Sequence, residues 1–112
     1  MKQGDICIVK LEPVVGHEQS KTRPCVIIQC NMLNTYLSTI IIAPITSTIP
    51  NKKYPNIVAL SKELTNLKKD GVIKIEQLRC IDKSRIQKVI GSIPPQKIDE
   101  IKHALRAIFT IY

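Results

Sequence analysis

Short apolar segments, separated by polar or proline-containing stretches, fill most of the chain up to about residue 81. These segments contain four to seven residues, many of them β-branched, which is the length and composition typical of β-strands. The chain is therefore predicted to be built mainly from strands. The predicted strands cover residues 5–11, 25–30, 39–45, 56–60, 71–75 and 78–81.

The segment 39–45 is β-branched almost throughout, which predicts a central strand covered on both faces. Pro44 lies inside this segment and predicts a bulge or a sheet edge near its end. Residues 31–38, which contain Asn and Ser, are predicted to form a connection, and residues 47–55, which contain two prolines, a loop. Residues 82–84 predict a turn into a short helical piece.

The hydrophobic period changes near the end of the chain. Ile98, Ile101, Leu105 and Ile108 recur at intervals of three and four residues, which predicts one face of an amphipathic helix. The prolines at 94–95 suit the first turn of such a helix. Many short strands followed by one helix predict a mainly β, α+β fold, a small curled β-barrel with the C-terminal helix packed outside.

The chain has 112 residues, of which 44% are hydrophobic, and this predicts a single globular domain over residues 1–112. Its apolar segments are too short to span a bilayer, and no secretory signal follows Met1. We therefore expect a soluble, cytoplasmic protein with no membrane association.

Four cysteines, Cys7, Cys25, Cys30 and Cys80, show no Cys-x-x-Cys spacing, and the chain has only two histidines. A zinc site is therefore not expected, nor is any other metal or cofactor. Cys7 and Cys25 lie in apolar segments, so we expect both to be small buried side chains in a reduced compartment.

The formal net charge is +8, from 17 Lys and Arg against 9 Asp and Glu. Such an excess attracts polyanions and speeds encounter with them in a salt-dependent way. Charge by itself does not separate RNA from DNA, an acidic membrane or an acidic protein.

A polar loop of residues 16–22 meets the second predicted strand at Arg23-Pro24. Pro24 biases Arg23 toward extended geometry, which would hold the guanidinium at the rim of the sheet, within reach of an anion. The structural alternative is a surface arginine that pairs with Glu18. A second junction of this kind follows the strand 39–45, at Thr46-Ser47.

Four motifs along the chain resemble those of the MazF/PemK family of toxin endoribonucleases. They are the opening GDI at 4–6, the loop GHEQSKTRP at 16–24, the step ITS at 45–47 and the run EQLRCIDKSRI at 76–86. The motifs occur in the family's order and spacing, and the resemblance covers nearly the whole chain. It implies an SH3-like barrel with helices packed outside.

The resemblance also implies a function. Members of this family cut single-stranded RNA, chiefly mRNA, without a metal, and a separate antitoxin neutralises them. It further implies a homodimer whose RNA groove crosses the subunit interface. Attack by the 2′-hydroxyl would leave a 2′,3′-cyclic phosphate or 3′-phosphate and a 5′-hydroxyl. An acidic antitoxin would match the +8 charge.

The resemblance makes Arg23 and Thr46 the catalytic pair. The planar Arg23 guanidinium suits two phosphate oxygens, although an arginine makes a poor base. The Thr46 hydroxyl can donate to phosphate, although a structural threonine at a strand end is the simpler interpretation of that residue alone. The predicted supporting and RNA-binding residues are Glu18, Gln19, Lys21, Ser47, Lys52, Lys53, Gln77 and Arg79.

Two alternatives remain at this point. One is a non-catalytic barrel toxin that binds DNA gyrase, and the other is a basic nucleic-acid-binding module. Aromatic side chains that could stack bases are few, with Tyr36 and Tyr54 in predicted loops. His17 and the Ser20-Lys21 step depart from the family pattern, which leaves the recognised RNA sequence open.

Overall fold

The computed structural model describes residues 1–11 and 21–110. In these ranges seven strands and three α-helices follow one another, with short 3-10 turns at Ile75–Gln77 and Lys83–Arg85. The strands are β1 Asp5–Lys10, β2 Thr22–Ile27, β3 Thr39–Thr46, β4 Ile57–Leu60, β5 Gly71–Lys74, β6 Arg79–Asp82 and β7 Ile86–Ser92. The helices are α1 Asn31–Tyr36, α2 Lys62–Thr65 and α3 Pro95–Phe109.

Strand β3 is the centre of one curled antiparallel sheet with the strand order β4-β5-β3-β2-β1-β7. One edge of β3 pairs with β2. The other edge pairs with β6 over residues 39–42 and with β5 over residues 45–46. Pro44 lies where the second edge changes partner, so its missing N–H falls at a break between two ladders. The predicted central strand is confirmed.

The sheet buries apolar side chains on both faces, as the β-branched composition of β3 predicts. One face packs under α3, where Ile101 and Ala104 contact a cluster that includes Val26 and Ile73. The opposite face holds a second cluster on β1, β2, β3 and β6. Its buried members are Cys7, Val9, Leu11, Cys25, Ile27, Ile40, Ile42 and Ile81.

The C-terminal helix is confirmed as α3, which begins at Pro95 and buries Ile101 and Ala104. Together with the sheet, it gives the mainly β, α+β architecture predicted from the pattern of short strands. In residues 1–11 and 21–110, no helix has the length and apolar character that crossing a membrane would require.

The prediction for residues 31–38 was wrong, because residues Asn31–Tyr36 form helix α1 instead of an irregular connection. The segment has a low intrinsic helix propensity, and tertiary contacts hold it in the helical conformation. The buried Asn34 side chain donates to the Gln29 carbonyl at 2.9 Å, and Gln29 Nε2 donates back to Asn34 Oδ1 at 2.9 Å. The ammonium of Lys83 also donates to the Asn34 carbonyl.

Strand β2 begins at Thr22, earlier than the predicted residue 25, because its pairing with β1 continues through Arg23↔Val9 to Thr22↔Lys10. Strand β7 was not predicted at all. Its central residues are exposed and partly polar, and its pairing with β1 has two register shifts, so it lacks the apolar alternation that marks a strand.

Candidate active site

The register between β2 and β3 brings the two predicted catalytic residues together. Cys25 pairs with Pro44 and Ile27 with Ile42, so Arg23 and Thr46 each lie two residues past the last β2–β3 pair, at the same end of the sheet. Both side chains line one open cavity of about 700 Å³ at this end of the sheet. Arg23 is exposed and Thr46 is partly buried, so a ligand in the cavity could reach both.

The Thr46 hydroxyl is oriented by the backbone that follows it. The Thr48 N–H donates to Thr46 Oγ1 at 3.2 Å. Since this bond uses a lone pair of the oxygen, the hydroxyl proton remains available to a phosphate oxygen in the cavity. Ser47, exposed between the two, lines the same cavity and adds a second hydroxyl.

The backbone of Thr46 is also held from its other side by β5, through the pair Thr46↔Val72. Gly71, at the start of β5, comes so close that a Cβ atom placed on it would lie 2.6 Å from the Thr46 carbonyl oxygen. Only glycine fits that approach without a shift of one backbone. Gly71 therefore helps to set the position of Thr46.

Arg23 also borders a second, smaller cavity of about 310 Å³. The smaller cavity lies beside the break in the second edge of β3, near Pro44, and brings together four polar side chains. They are Lys21, Arg23, Gln77 and Arg79. Arg23 thus connects a cavity containing hydroxyl groups to one containing an amide and further cations.

Cys25 supports the strand beneath Arg23. Its thiol donates to the Arg23 carbonyl oxygen, with Sγ and O 3.7 Å apart. Burial raises the pKa of Cys25 to about 12, helped by neighbouring Cys7 and opposed only in part by the positive charges of Arg23 and Arg79. A thiol with so high a pKa is protonated at neutral pH and is no nucleophile.

The structure brings most of the sequence-predicted residues to these two cavities. Arg23, Thr46 and Ser47 line the larger one, and Lys21, Gln77 and Arg79 the smaller one. Lys52 and Lys53 are exposed in the loop after β3 and line neither cavity, so their contact with RNA stays a prediction. Glu18 and Gln19 lie outside the described residues, as do His17 and Ser20.

Three lysines of the larger cavity were missed by sequence reasoning: Lys68, Lys69 and Lys88. The adjacent pair Lys68-Lys69 precedes an Asp-Gly step, and that local signal could have been used. Lys88 gave no such signal, because it belongs to the unpredicted strand β7.

Within the described ranges, no three His, Cys, Asp or Glu side chains lie close enough together to hold a metal ion. The polar groups that line the two cavities are mainly cations, hydroxyls and amides. Such groups suit an anionic ligand, and phosphate in particular.

Comparison with known proteins agrees with this chemistry. The sequence profile of the family described as "PemK-like, MazF-like toxin of type II toxin-antitoxin system" matches residues 2–109. The chain belongs to the PemK/MazF toxin family. Among curated members, the chain is 39% identical over 105 residues to "Endoribonuclease MazF" of Staphylococcus saprophyticus, a match that covers 94% of this chain and 88% of that protein.

Solved structures of other family members share the fold. "Mycobacterium tuberculosis toxin MazF-mt6" superposes with a TM-score of 0.82 at 19% identity, covering 96% of this chain and 98% of that one. "MazE-MazF (Form-II) from Deinococcus radiodurans" gives a TM-score of 0.83 at 24% identity, covering 100% of this chain and 97% of that one. The barrel predicted from the resemblance to the PemK/MazF family is therefore confirmed.

Proposed function

We propose that this protein is the toxin of a type II toxin–antitoxin module and acts as an endoribonuclease that cuts single-stranded RNA, chiefly mRNA, without a metal ion. The family match over residues 2–109 and the 39% identity to a relative named endoribonuclease support the general activity. The details of the chemistry are inferred from the residues that line the two cavities.

The observation that carries the mechanism is the position of Arg23 and Thr46 in one cavity. A scissile phosphate placed between them would have its non-bridging oxygens against the Arg23 guanidinium. That cation neutralises the charge that accumulates when the neighbouring 2′-hydroxyl attacks phosphorus. The 2′-hydroxyl loses its proton to a base, the P–O bond to the 5′-oxygen breaks, and that oxygen takes up a proton, which leaves a 2′,3′-cyclic phosphate on one product and a 5′-hydroxyl on the other.

Thr46 has a positioning and donating role in this scheme. Its oxygen already accepts from the Thr48 N–H, so its proton is available to a phosphate oxygen, and that bond would help to fix the orientation of the scissile phosphate. Arg23 is too weak a base to take the 2′-hydroxyl proton efficiently. Glu18 is the proposed alternative base, and it lies outside the described residues.

The proposed partners follow from charge and family. The net charge of +8 favours both an RNA strand and an acidic antitoxin that competes with RNA for the same surface. The Deinococcus radiodurans structure is a MazE-MazF complex by its name, which is consistent with such a partner. We also propose a homodimer, as the family resemblance implies.

The test is to map the ends produced when the purified protein meets a long, complex RNA in the presence of a chelator. Cutting with new 5′-hydroxyl ends is expected, at a limited set of sequences. Arg23→Ala should lower the cleavage rate by a factor of about 100 or more, because it removes a transition-state charge partner worth roughly 3 kcal/mol.

Arg106→Ala is the matched control, since Arg106 is exposed on α3 and lines neither cavity. It should cut RNA at the wild-type rate. RNA that is bound but left intact would support the simple nucleic-acid-binding alternative, and RNA that is neither bound nor cut would support the gyrase-binding one. Undiminished cutting by Arg23→Ala would contradict the proposed mechanism.

A further inference from the structure

The larger cavity extends well beyond Arg23 and Thr46. Its lining also includes residues 66–71, which lead from the end of α2 into β5, and Lys88 of β7. At about 700 Å³ it falls in the range of roughly 300–1,000 Å³ that buries a whole drug-sized ligand, which is more than a single phosphate group needs. The cavity therefore has room for a second part of the RNA strand.

The turn that carries Lys68 and Lys69 is anchored at both ends. Asn66 ends α2 with a left-handed backbone, φ 60°, and its Nδ2 donates to the Ile90 carbonyl of β7 at 3.4 Å. The Leu67 N–H donates to Thr65 Oγ1 at 3.2 Å. At the other end, Asp70 Oδ1 accepts from the Lys62 N–H at 2.8 Å.

The lining of the larger cavity is strongly positive. Four cations, Arg23, Lys68, Lys69 and Lys88, face one carboxylate, Asp70. That carboxylate already accepts the Lys62 N–H. In residues 1–11 and 21–110, the structure shows no ion pair for any of the three lysines, so their ammonium groups are available to a ligand.

We propose that Lys68, Lys69 and Lys88 form a flanking-phosphate site, which holds a phosphate of the RNA next to the scissile one. The proposal rests on the proposed endoribonuclease activity and assigns an RNA-binding role to residues that do not touch the reacting atoms. The anchored turn carries the two adjacent lysines, and Lys88 of β7 lines the same cavity. Ammonium groups bind phosphate as point charges without reading the base.

This role predicts an effect on binding and not on the chemical step. Each lost contact to a phosphate of a single strand lowers the slope of log K against log salt by roughly 0.7. Lys68→Gln/Lys69→Gln should therefore weaken RNA binding roughly tenfold near physiological salt and reduce that slope by about 1.4. The value of kcat at saturating RNA should not change.

The experiment uses a short RNA that contains one cleavage site mapped with the wild-type protein, with a 2′-deoxy nucleotide at the cut to prevent reaction. A neutral methylphosphonate then replaces each linkage in turn. A methylphosphonate at one linkage beside the cut should weaken binding to the wild type several-fold and have little effect on the double variant. A double-mutant cycle of this kind isolates the contact from a general loss of charge.

Lys2→Gln/Lys102→Gln is the control, because it removes the same charge from two exposed lysines that line neither cavity. It should bind every modified RNA as the wild type does. Equal losses in both double variants, or the same methylphosphonate effects in Lys68→Gln/Lys69→Gln as in the wild type, would overturn the flanking-phosphate site. Failure of the wild type to cut any RNA would instead overturn the proposed function.

Discussion

Two side chains on strand β2, Arg23 and Cys25, differ in their surroundings because the pairing of β2 with β3 stops between them. Alternation along the strand puts both on one face. Cys25 is fully buried in the cluster on that face, whereas Arg23 lies past the last β2–β3 pair and is exposed at the cavities. The buried thiol therefore stays protonated at neutral pH, while the guanidinium is accessible to an anion.

The raised pKa of Cys25 predicts how the free energy of unfolding changes at alkaline pH. Its pKa rises from 9.0 to about 12 on folding, mainly because of burial. The folded state thus retains a proton that the unfolded chain loses above pH 9, so the free energy of unfolding should fall as the pH rises from 9 toward 12. Between pH 9 and 11 the titration of Cys25 should lower the free energy of unfolding by about 1–3 kcal/mol.

Urea unfolding at pH 8, 9, 10 and 11 measures this effect. Cys25→Ala should be less stable than the wild type at pH 8, and the difference should shrink as the pH rises, because the variant lacks the titrating thiol. Burial also raises the pKa of Cys7, to about 11, but Cys7 is present in both proteins. A difference that stays constant over this pH range would show that Cys25 is not the responsible group.

At the scale of the element, the site depends on how β5 meets the end of β3. Gly71 allows the close approach, since a Cβ there would lie 2.6 Å from the Thr46 carbonyl oxygen. The pairs Thr46↔Val72 and Ile45↔Ile73 then hold the end of β3 in place. The position of the Thr46 hydroxyl is thus set by an approach between two backbones that are far apart in the sequence.

Gly71→Ala should therefore lower kcat by more than its loss of folding stability explains. The added methyl group must displace one backbone, which costs about 1–3 kcal/mol of stability. A shift of Thr46 by a few tenths of an ångström should also lower kcat roughly tenfold, since transition-state alignment is sensitive to small displacements. Single-turnover cleavage rates and thermal unfolding measure the two effects separately.

Val58→Ala is the stability-matched control, because Val58 is buried in the core under α3 and lines neither cavity. It should lose stability and keep kcat near the wild-type value at a temperature where both variants are folded. If both variants lose kcat in proportion to stability, Gly71 has only a structural role.

At the scale of the whole molecule, a net charge of +8 and two cavities lined with cations predict salt-dependent binding of RNA. If three phosphates of a single strand are contacted, the affinity should fall roughly twentyfold between 50 and 200 mM salt. The cleavage assay should show this as a higher KM with little change in kcat. A KM that does not change with salt would exclude phosphate contacts as the main source of affinity.

Several elements could be predicted from sequence because their side chains report burial locally. The β-branched segment 39–45 gave the central strand, and the period of Ile98, Ile101, Leu105 and Ile108 gave α3. Helix α1 and strand β7 could not be predicted in this way. Contacts with Gln29 and Lys83 hold α1, and pairing with β1 holds β7, although neither segment has a strong local pattern.

The amino-acid sequence by itself determined the burial pattern, the excess of positive charge and the motifs from which Arg23 and Thr46 are predicted to be a catalytic pair. Only the tertiary structure decided that these two residues share a cavity, that Gly71 positions one of them, and that Lys68, Lys69 and Lys88 line the same space. The physical reason is the separation in sequence between the residues that make each contact. Hydrophobic periodicity records what each segment buries, whereas strand register and chain crossings arise from contacts between segments distant in sequence, which no local pattern encodes.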